Sequence, residues 1–329
     1  MIPFLSSLRF KNLSLNTIIF FFITIVFVNQ IHLHLDYSDI DENSAKIKYS
    51  EKLVSEDTYK SLNRECEITG QFSDRHKVRW VKSLFLQEIF LISEQISNVL
   101  PYYINIFLHS LVIFLTLIIL NKTFSFNHKY TLIFLLYVTF LFQGYLSEYS
   151  YSIFEMFFLS LCLYASKNKK IFLFAISGIL AVLNRESGFI ILLSWLIFNK
   201  EFKKLMIIYI VTGIIFLLLN FDILKCLINP IFFIPLENQE GQTDFHDIFK
   251  INIISLIKIL ILNFLLPFGL VFYFLVKTDR INKVLLAMLL IYFLVFMIAT
   301  PLHHVSVRLL LLPLVFTSIY LFSNQKKNI

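Results

Sequence analysis

Two ionisable residues, Arg185 and Glu186, lie side by side near the centre of an apolar run that extends from Ile171 to Phe198. A charged side chain near the midplane of a bilayer costs a few kcal/mol even on the mildest scale, so such residues usually have a function. Either one helix carries both charges at mid-membrane, or two short helices meet at a polar tip.

Further polar side chains border apolar blocks elsewhere in the chain, and their types suit a reaction in which a hydroxyl group loses a proton while a phosphate leaves. A carboxylate can take a proton from a hydroxyl group. An arginine can neutralise the charge that grows on a departing phosphate. The residues of this kind are Asp36, Asp39, Asp41, Glu148, Glu155, Arg185, Glu186, His303, His304 and Arg308.

The composition indicates which elements must position these residues. Hydrophobic residues make up 57% of the 329 residues, charged residues make up 16%, and the mean hydropathy is +0.75. The apolar residues occur in blocks whose length matches the hydrocarbon thickness of a bilayer. The chain is therefore predicted to be an all-α, polytopic transmembrane helix bundle that forms a single membrane domain over residues 1–329.

Ten apolar blocks predict ten helical segments. They cover residues 15–31, 101–120, 131–147, 152–165, 171–184, 187–199, 205–221, 253–276, 284–300 and 309–323. The first block is predicted to be a retained anchor, because no small-residue cleavage site follows it.

The basic residues between the blocks predict the orientation of the chain. With a cytoplasmic N-terminus and two helices in the 171–198 run, the inner segments hold 15 basic residues against two acidic ones, Glu201 and Asp279. This is the positive-inside pattern. The net charge of +7 therefore orients the chain and does not indicate a nucleic-acid partner.

Counting the run as one helix would move the basic loops that follow it to the outer side, so we expect two short helices. At about 1.5 Å per residue each reaches about 20 Å, which is less than the roughly 30 Å hydrocarbon core. Such helices are tolerated where they line a cavity. Arg185 and Glu186 are therefore expected at an outer-facing polar tip.

Two outer segments are long, residues 32–100 and 222–252. The first contains an apolar stripe at Val81, Phe85, Ile89, Ile92 and Ile96, with spacings of four, four, three and four. This spacing predicts a helix that lies in the membrane interface.

Several motifs resemble the GT-C superfamily of integral membrane glycosyltransferases, and in particular its bacterial, mannosyltransferase-like members. The first outer segment begins with DYSDID, which places an Asp-x-Asp spacing at Asp39 and Asp41. LNRESGFIILLSWL is similar to the Leu-Thr-Arg-Glu-Thr-Gly type of stretch in bacterial members. HHVSVRLLLLPLVF resembles the segment that opens their last helices, with Arg308 and Pro313.

The resemblance implies an inverting enzyme of the bacterial inner membrane. It would move a sugar from a polyprenyl-phosphate donor to a periplasmic acceptor, which could be a glycolipid, polysaccharide or protein. Both chain termini would be cytoplasmic, and the partners would be the lipid-linked donor and membrane lipids.

Residue roles follow from this interpretation. One of Asp36, Asp39 and Asp41 is expected to be the catalytic base. Arg185 or Arg308 is expected to hold the lipid phosphate, and Glu186 to orient the arginine or the sugar. The remaining substrate-binding candidates are His303, His304 and Glu148. These roles are compatible with a divalent cation (Mg²⁺ or Mn²⁺) but do not require one, and no metal ligand is assigned.

Simpler interpretations stay open for the same residues. Arg185 and Glu186 could cap two helices and bond to neighbours, and the aspartates could belong to a solvated loop. The alternation of His32, His34 and Asp36 would suit a structural metal on an extended strand.

Two other functional classes also stay open. A lipid-linked-sugar transporter or flippase would use a broken helix pair, although it should show repeat symmetry. An O-antigen polymerase-like protein should have its largest outer loop late in the chain. Separately, Cys66 and Cys226 could form a disulfide, since both lie in outer segments.

Overall fold

A computed structural model describes residues 40–62, 87–125, 150–185, 187–233, 283–298 and 313–321. All regular structure in these ranges is helical, and they contain no strand. The helices are α1 (Glu42–Leu62), α2 (Gln87–Ile96), α3 (Leu100–Phe124), α4 (Ser150–Lys167), α5 (Ile171–Asn184), α6 (Gly188–Phe198), α7 (Phe202–Phe233), α8 (Lys283–Ile298) and α9 (313–321). The all-α prediction is confirmed for this part of the chain.

Within the described ranges, two helices are long and apolar enough to cross a membrane. They are α3 and the Phe202–Asn220 part of α7. Pro101 lies in the first turn of helix α3, a position that suits its ring. It ends where Ser125 adopts a left-handed conformation and its N–H donates to the Asn121 carbonyl at 2.7 Å. These two helices support membrane association of the chain.

Helix α4 forms the centre of the main core and packs against α3, α5 and α6. The core is built on the apolar faces of α4, α5 and α6 and is completed by residues of α7, α8 and α9. Phe174 of α5 and Trp195 of α6 are fully buried in it, with ring centroids 5.0 Å apart.

The predicted break in the 171–198 run is confirmed. Helix α5 ends at Asn184, and Arg185 has an extended backbone with φ −164° and ψ 149°. The chain then re-enters a helix at Gly188, and its middle turn, Leu192–Ser194, is a 3₁₀ helix. Helices α5 and α6 pack against each other as a hairpin, which we call the short hairpin.

The base of the short hairpin is fixed to the end of α4 by buried polar groups. The Ser166 hydroxyl contacts the carbonyl oxygens of Ser194 and Trp195 at 3.1 and 3.0 Å. The Asn199 side-chain amide donates to the Ser166 carbonyl at 2.8 Å. These bonds join the last turn of α6 to the last turn of α4.

The structure differs from the sequence prediction in two outer segments. The segment 32–100 contains a second helix, α1, which the apolar blocks did not predict because the helix is largely polar. Its Ala45 and Tyr49 pack against Tyr102 of α3. Helix α7 continues to Phe233, past the predicted end at residue 221 and into the segment predicted as a loop.

A helix is present over Gln87–Ile96, within the segment where the apolar stripe predicted one. Its Phe90 is buried, whereas Ile92 and Ile96 of the predicted stripe have 60% and 73% of their surface exposed. Val81 and Phe85 lie outside the described residues. So do the predicted blocks 15–31, 131–147 and 253–276, together with Cys66 and the side chain of Cys226.

Candidate functional site

Arg185 lies at the tip of the short hairpin and forms an ion pair with Glu155 of α4. Its Nη1 is 3.3 Å from Glu155 Oε2, and the two side chains are 13% and 0% exposed, respectively. A buried carboxylate is strongly destabilising unless it is paired and hydrogen-bonded. The pair therefore fixes the break between α5 and α6 to the neighbouring helix.

Ser187 adds a second donor to the same carboxylate, because its hydroxyl donates to Glu155 Oε1. Arg185 follows α5 directly, and Ser187 directly precedes α6. Three elements thus meet at one buried group, with α4 supplying the acceptor and the break in the hairpin supplying both donors. We call Glu155, Arg185 and Ser187 the tip cluster.

The local sequence brings α6 close enough for this geometry. Gly188 begins α6, and a Cβ atom at this position would overlap backbone atoms of Ala181 and Val182. Only glycine fits there, so α6 packs directly onto the last turn of α5.

The tip cluster lies beside the helices of the first predicted outer segment. Phe154, the neighbour of Glu155, packs against a small apolar cluster formed by Val54 of α1 and Phe90 of α2. A segment that the charge pattern assigns to the outer face therefore reaches the end of α4 that carries the tip cluster.

This arrangement can present a positioned positive charge to an anion. A guanidinium group carries five N–H donors in a planar fork that matches carboxylate and phosphate oxygens. Glu155 limits the rotation of the Arg185 side chain, and this lowers the entropy cost of binding an anion at that position.

Asp41 is the only one of the three predicted bases that lies in the described residues, and it caps the start of α1. Its Oδ1 accepts the backbone N–H groups of Asn43 and Ser44, both at 3.0 Å. The Ser44 hydroxyl contacts Oδ2 at 2.5 Å. The hydrogen bonds from Ser44 lower the pKa of Asp41 below its ordinary value of 3.8. An aspartate in this position stabilises the start of the helix, so the contacts of Asp41 give it a structural role.

Of the predicted site residues, Arg185 and Asp41 are described, and no direct contact between them is seen. The others lie outside the described residues: Asp36, Asp39, Glu148, Glu186, His303, His304 and Arg308. The sequence singled out Glu155 as a polar residue near a helix end but assigned it no role, and it missed Ser187. The sequence feature that could have indicated Ser187 is its hydroxyl group, which lies two residues after Arg185 in the break between α5 and α6.

Among the described residues, no group of three His, Cys, Asp or Glu side chains could hold a metal ion. No family model, curated protein or solved structure matches the chain. The functional interpretation therefore rests on the residues and the geometry of the tip cluster.

Proposed function

We propose that the chain is a multi-pass membrane glycosyltransferase that moves a sugar from a polyprenyl-phosphate donor to an acceptor on the periplasmic face of a bacterial inner membrane. Its ten helical segments place both termini in the cytoplasm. The observation that carries the proposal is the Arg185–Glu155 pair at the tip of the short hairpin. In this pair Glu155 positions the guanidinium group of Arg185, and in the proposal the lipid phosphate binds to that group.

In the proposed reaction, Arg185 holds the phosphate of the donor, and Glu155 orients the guanidinium. Asp36 or Asp39 takes the proton from the acceptor hydroxyl. The acceptor oxygen then forms a bond to the anomeric carbon while the bond from that carbon to the phosphate oxygen breaks. The electron pair leaves with the phosphate, whose growing charge Arg185 neutralises, and the configuration at the anomeric carbon inverts.

The test separates donor binding from transfer in full-length protein reconstituted with a polyprenyl-phosphate sugar. Arg185→Ala should weaken donor binding and abolish transfer, because a bidentate contact to phosphate is made already in the ground state. Arg185→Lys should restore binding only in part, since lysine has no planar fork.

The aspartate variants should behave differently. The Asp36→Asn, Asp39→Asn double variant should still bind donor while turnover falls by roughly 10²–10⁴-fold, as is typical for a lost general base. Asparagine keeps the shape of aspartate but cannot take a proton. Full transfer activity in both this variant and Arg185→Ala would refute the proposal.

The short hairpin also favours a second candidate, a transporter of lipid-linked sugars. Broken helix pairs with polar tips bind substrates in secondary transporters, and α5 and α6 form such a pair. Proteoliposomes loaded with a labelled lipid-linked sugar distinguish the two functions. A transporter would move the label across the bilayer without an acceptor, whereas a glycosyltransferase would release it only to an acceptor.

A further inference from the structure

An exposed tyrosine near the start of α3 is held in place by α1. Tyr103 has 52% of its surface exposed, and Lys46 Nζ of α1 lies 5.5 Å from the centroid of its ring. The buried Tyr102 meets Tyr103 edge to face, with ring centroids 5.3 Å apart. Lys46 in turn pairs with Glu42 one turn earlier, with Nζ 2.5 Å from Oε1. We call Glu42, Lys46 and Tyr103 the tyrosine platform.

The tyrosine platform stands on a packed joint between α1 and α3. Tyr49 of α1 is buried against Tyr102, with ring centroids 5.5 Å apart. The Ser50 hydroxyl oxygen accepts the backbone N–H of Tyr102 at 3.2 Å. Because both helices fix the position of the platform before a ligand arrives, binding there costs little conformational entropy.

The charges of the platform disfavour an ionic ligand. Lys46 is already paired with Glu42, so a ligand of either sign would lie close to a group of its own sign. The side chain of Glu42 is 67% exposed, and its carboxylate can accept further hydrogen bonds from neutral hydroxyl groups. The face of an aromatic ring carries partial negative charge and attracts C–H groups. A neutral sugar ring has both kinds of group, C–H and O–H.

Helix α1 connects the platform to the tip cluster. Lys46 and Val54 are eight positions apart on α1, which is about 12 Å at 1.5 Å per residue. Val54 belongs to the apolar cluster against which Phe154, the neighbour of Glu155, packs. The helix therefore reaches from the platform to the end of α4 that carries the tip cluster.

We propose that the tyrosine platform binds a neutral sugar unit of the acceptor, which makes the acceptor a glycan chain and not a protein. The sugar ring stacks on Tyr103, and its hydroxyl groups donate to Glu42. Aromatic residues are common at a membrane interface, but that preference does not account for an ion pair fixed against the ring. The acceptor role rests on the proposed glycosyltransferase function, whereas sugar binding at the platform does not.

The first test uses no donor. Purified full-length protein in detergent micelles is applied to an array of neutral, phosphorylated and sialylated glycans, and the affinity for the best neutral glycan is then measured. Tyr103→Ala should weaken this binding by about tenfold or more, because the stacked apolar area is lost. The matched control, Phe107→Ala, removes a ring that is 60% exposed one turn further along the same helix and should keep the binding.

The hydrogen-bonding part of the platform is tested with Glu42→Gln. This variant should lose about tenfold in affinity, because the hydroxyl groups of the sugar no longer donate to a charged acceptor. The matched control, Glu51→Gln, removes an exposed carboxylate from the same helix and should bind normally. Failure to bind any neutral glycan, a preference for phosphorylated or sialylated glycans, or unchanged binding by Tyr103→Ala would overturn the proposal.

Transfer kinetics separate this inference from the proposed function. Tyr103→Ala should raise the KM for a glycan acceptor and leave kcat unchanged, because the platform does not touch the reacting bonds. Active transfer with an unchanged acceptor KM in this variant would overturn the acceptor role and leave the glycosyltransferase standing. Binding of neutral glycans without any transfer would support the platform and refute the glycosyltransferase together with the acceptor role.

Discussion

At the scale of single residues, the tip cluster depends on a carboxylate with no exposed surface. Glu155 accepts from Arg185 and from Ser187, and Arg185 itself is only 13% exposed. Removing one partner of such a pair leaves the other charge buried and poorly solvated. The stability lost in this way is larger than the stability that the intact pair contributes compared with apolar residues in the same place. Ser187 adds a neutral donor that supports the ionised form of the carboxylate.

Glu155→Gln should therefore lower the free energy of unfolding by about 3 kcal/mol, measured by denaturant unfolding in detergent micelles. The Glu155→Gln, Arg185→Gln double variant should lose less than the two single variants added together, because two amides can bond to each other. The matched control is Glu201→Gln, whose partner Lys204 is exposed, and its cost should stay below about 1 kcal/mol. Equal costs at the buried and exposed pairs would contradict a structural role for the tip cluster.

Asp41 gives a pH-dependent prediction at the same scale. Since the hydrogen bonds from Ser44 lower its pKa in the folded state, the stabilisation of α1 is present above pH 3.8, the ordinary pKa. It is lost as the pH falls through the lower folded value. Hydrogen exchange of the first turn of α1 should speed up in this acidic range. Asp41→Ser, which keeps a capping oxygen but has no titrating group, should remove this pH dependence, and a persistent effect would assign it to another group.

At the scale of elements, the short hairpin is secured at both ends to α4. Glu155 holds the tip, and Ser166 holds the base through Ser194, Trp195 and Asn199. A helix of 14 residues such as α5 is short for a bilayer, so its stability must come from packing and not from length. This explains why a polar break persists within an otherwise apolar run.

Three glycine-to-alanine variants measure this packing. Gly188→Ala should cost at least about 2 kcal/mol, because its Cβ would overlap the rigid backbone of α5. Gly178→Ala should cost less, since it meets only the end of the Leu192 side chain, which can rotate. Gly213→Ala has open space in α7 and should gain about 0.5–1 kcal/mol from helix propensity. Thermal unfolding of the three variants checks this order, and a mild effect at Gly188 would refute the close approach of α5 and α6.

At the scale of the whole molecule, the two ends of the bundle differ in charge. The tip cluster lies near the start of α4, whereas Lys122, Lys167 and Lys170 lie at the other end of the helices, which we call the lysine end. In the proposed topology, which follows the positive-inside rule, the lysine end faces the cytoplasm. The same proposed topology places the helices α1 and α2, which pack beside Phe154, on the periplasmic side.

Cysteine labelling in intact cells tests this orientation, with the native cysteines replaced first. A cysteine at Ser187 or Ser306 should react with a membrane-impermeant thiol reagent added from outside. A cysteine at Asn168, which is exposed at the lysine end, should react only after the membrane is permeabilised. External labelling of Asn168 would exclude the ten-segment topology and the proposed periplasmic site.

The sequence by itself determined the helical class and the break in the 171–198 run. Apolar blocks and an arginine within one of them are local features of the sequence. The free-energy cost of a charged side chain in the membrane core is enough to predict that the helix breaks there. Helix α1, which was not predicted, also has a local pattern, since Ala45, Tyr49 and Leu53 recur every four residues. The polar residues between them make the mean hydropathy of this segment low, so it does not stand out as an apolar block. Asp41 with Ser44 was likewise a readable capping pattern.

Only the tertiary structure decided the partner of Arg185. The sequence led to the expectation that Glu186 orients Arg185 or the sugar, and Glu186 lies outside the described residues. The described partner is Glu155, thirty residues earlier on another helix. That pairing depends on how α4 packs against the short hairpin. A buried carboxylate needs hydrogen-bond donors, and here the donors must come from the helix hairpin that packs over it.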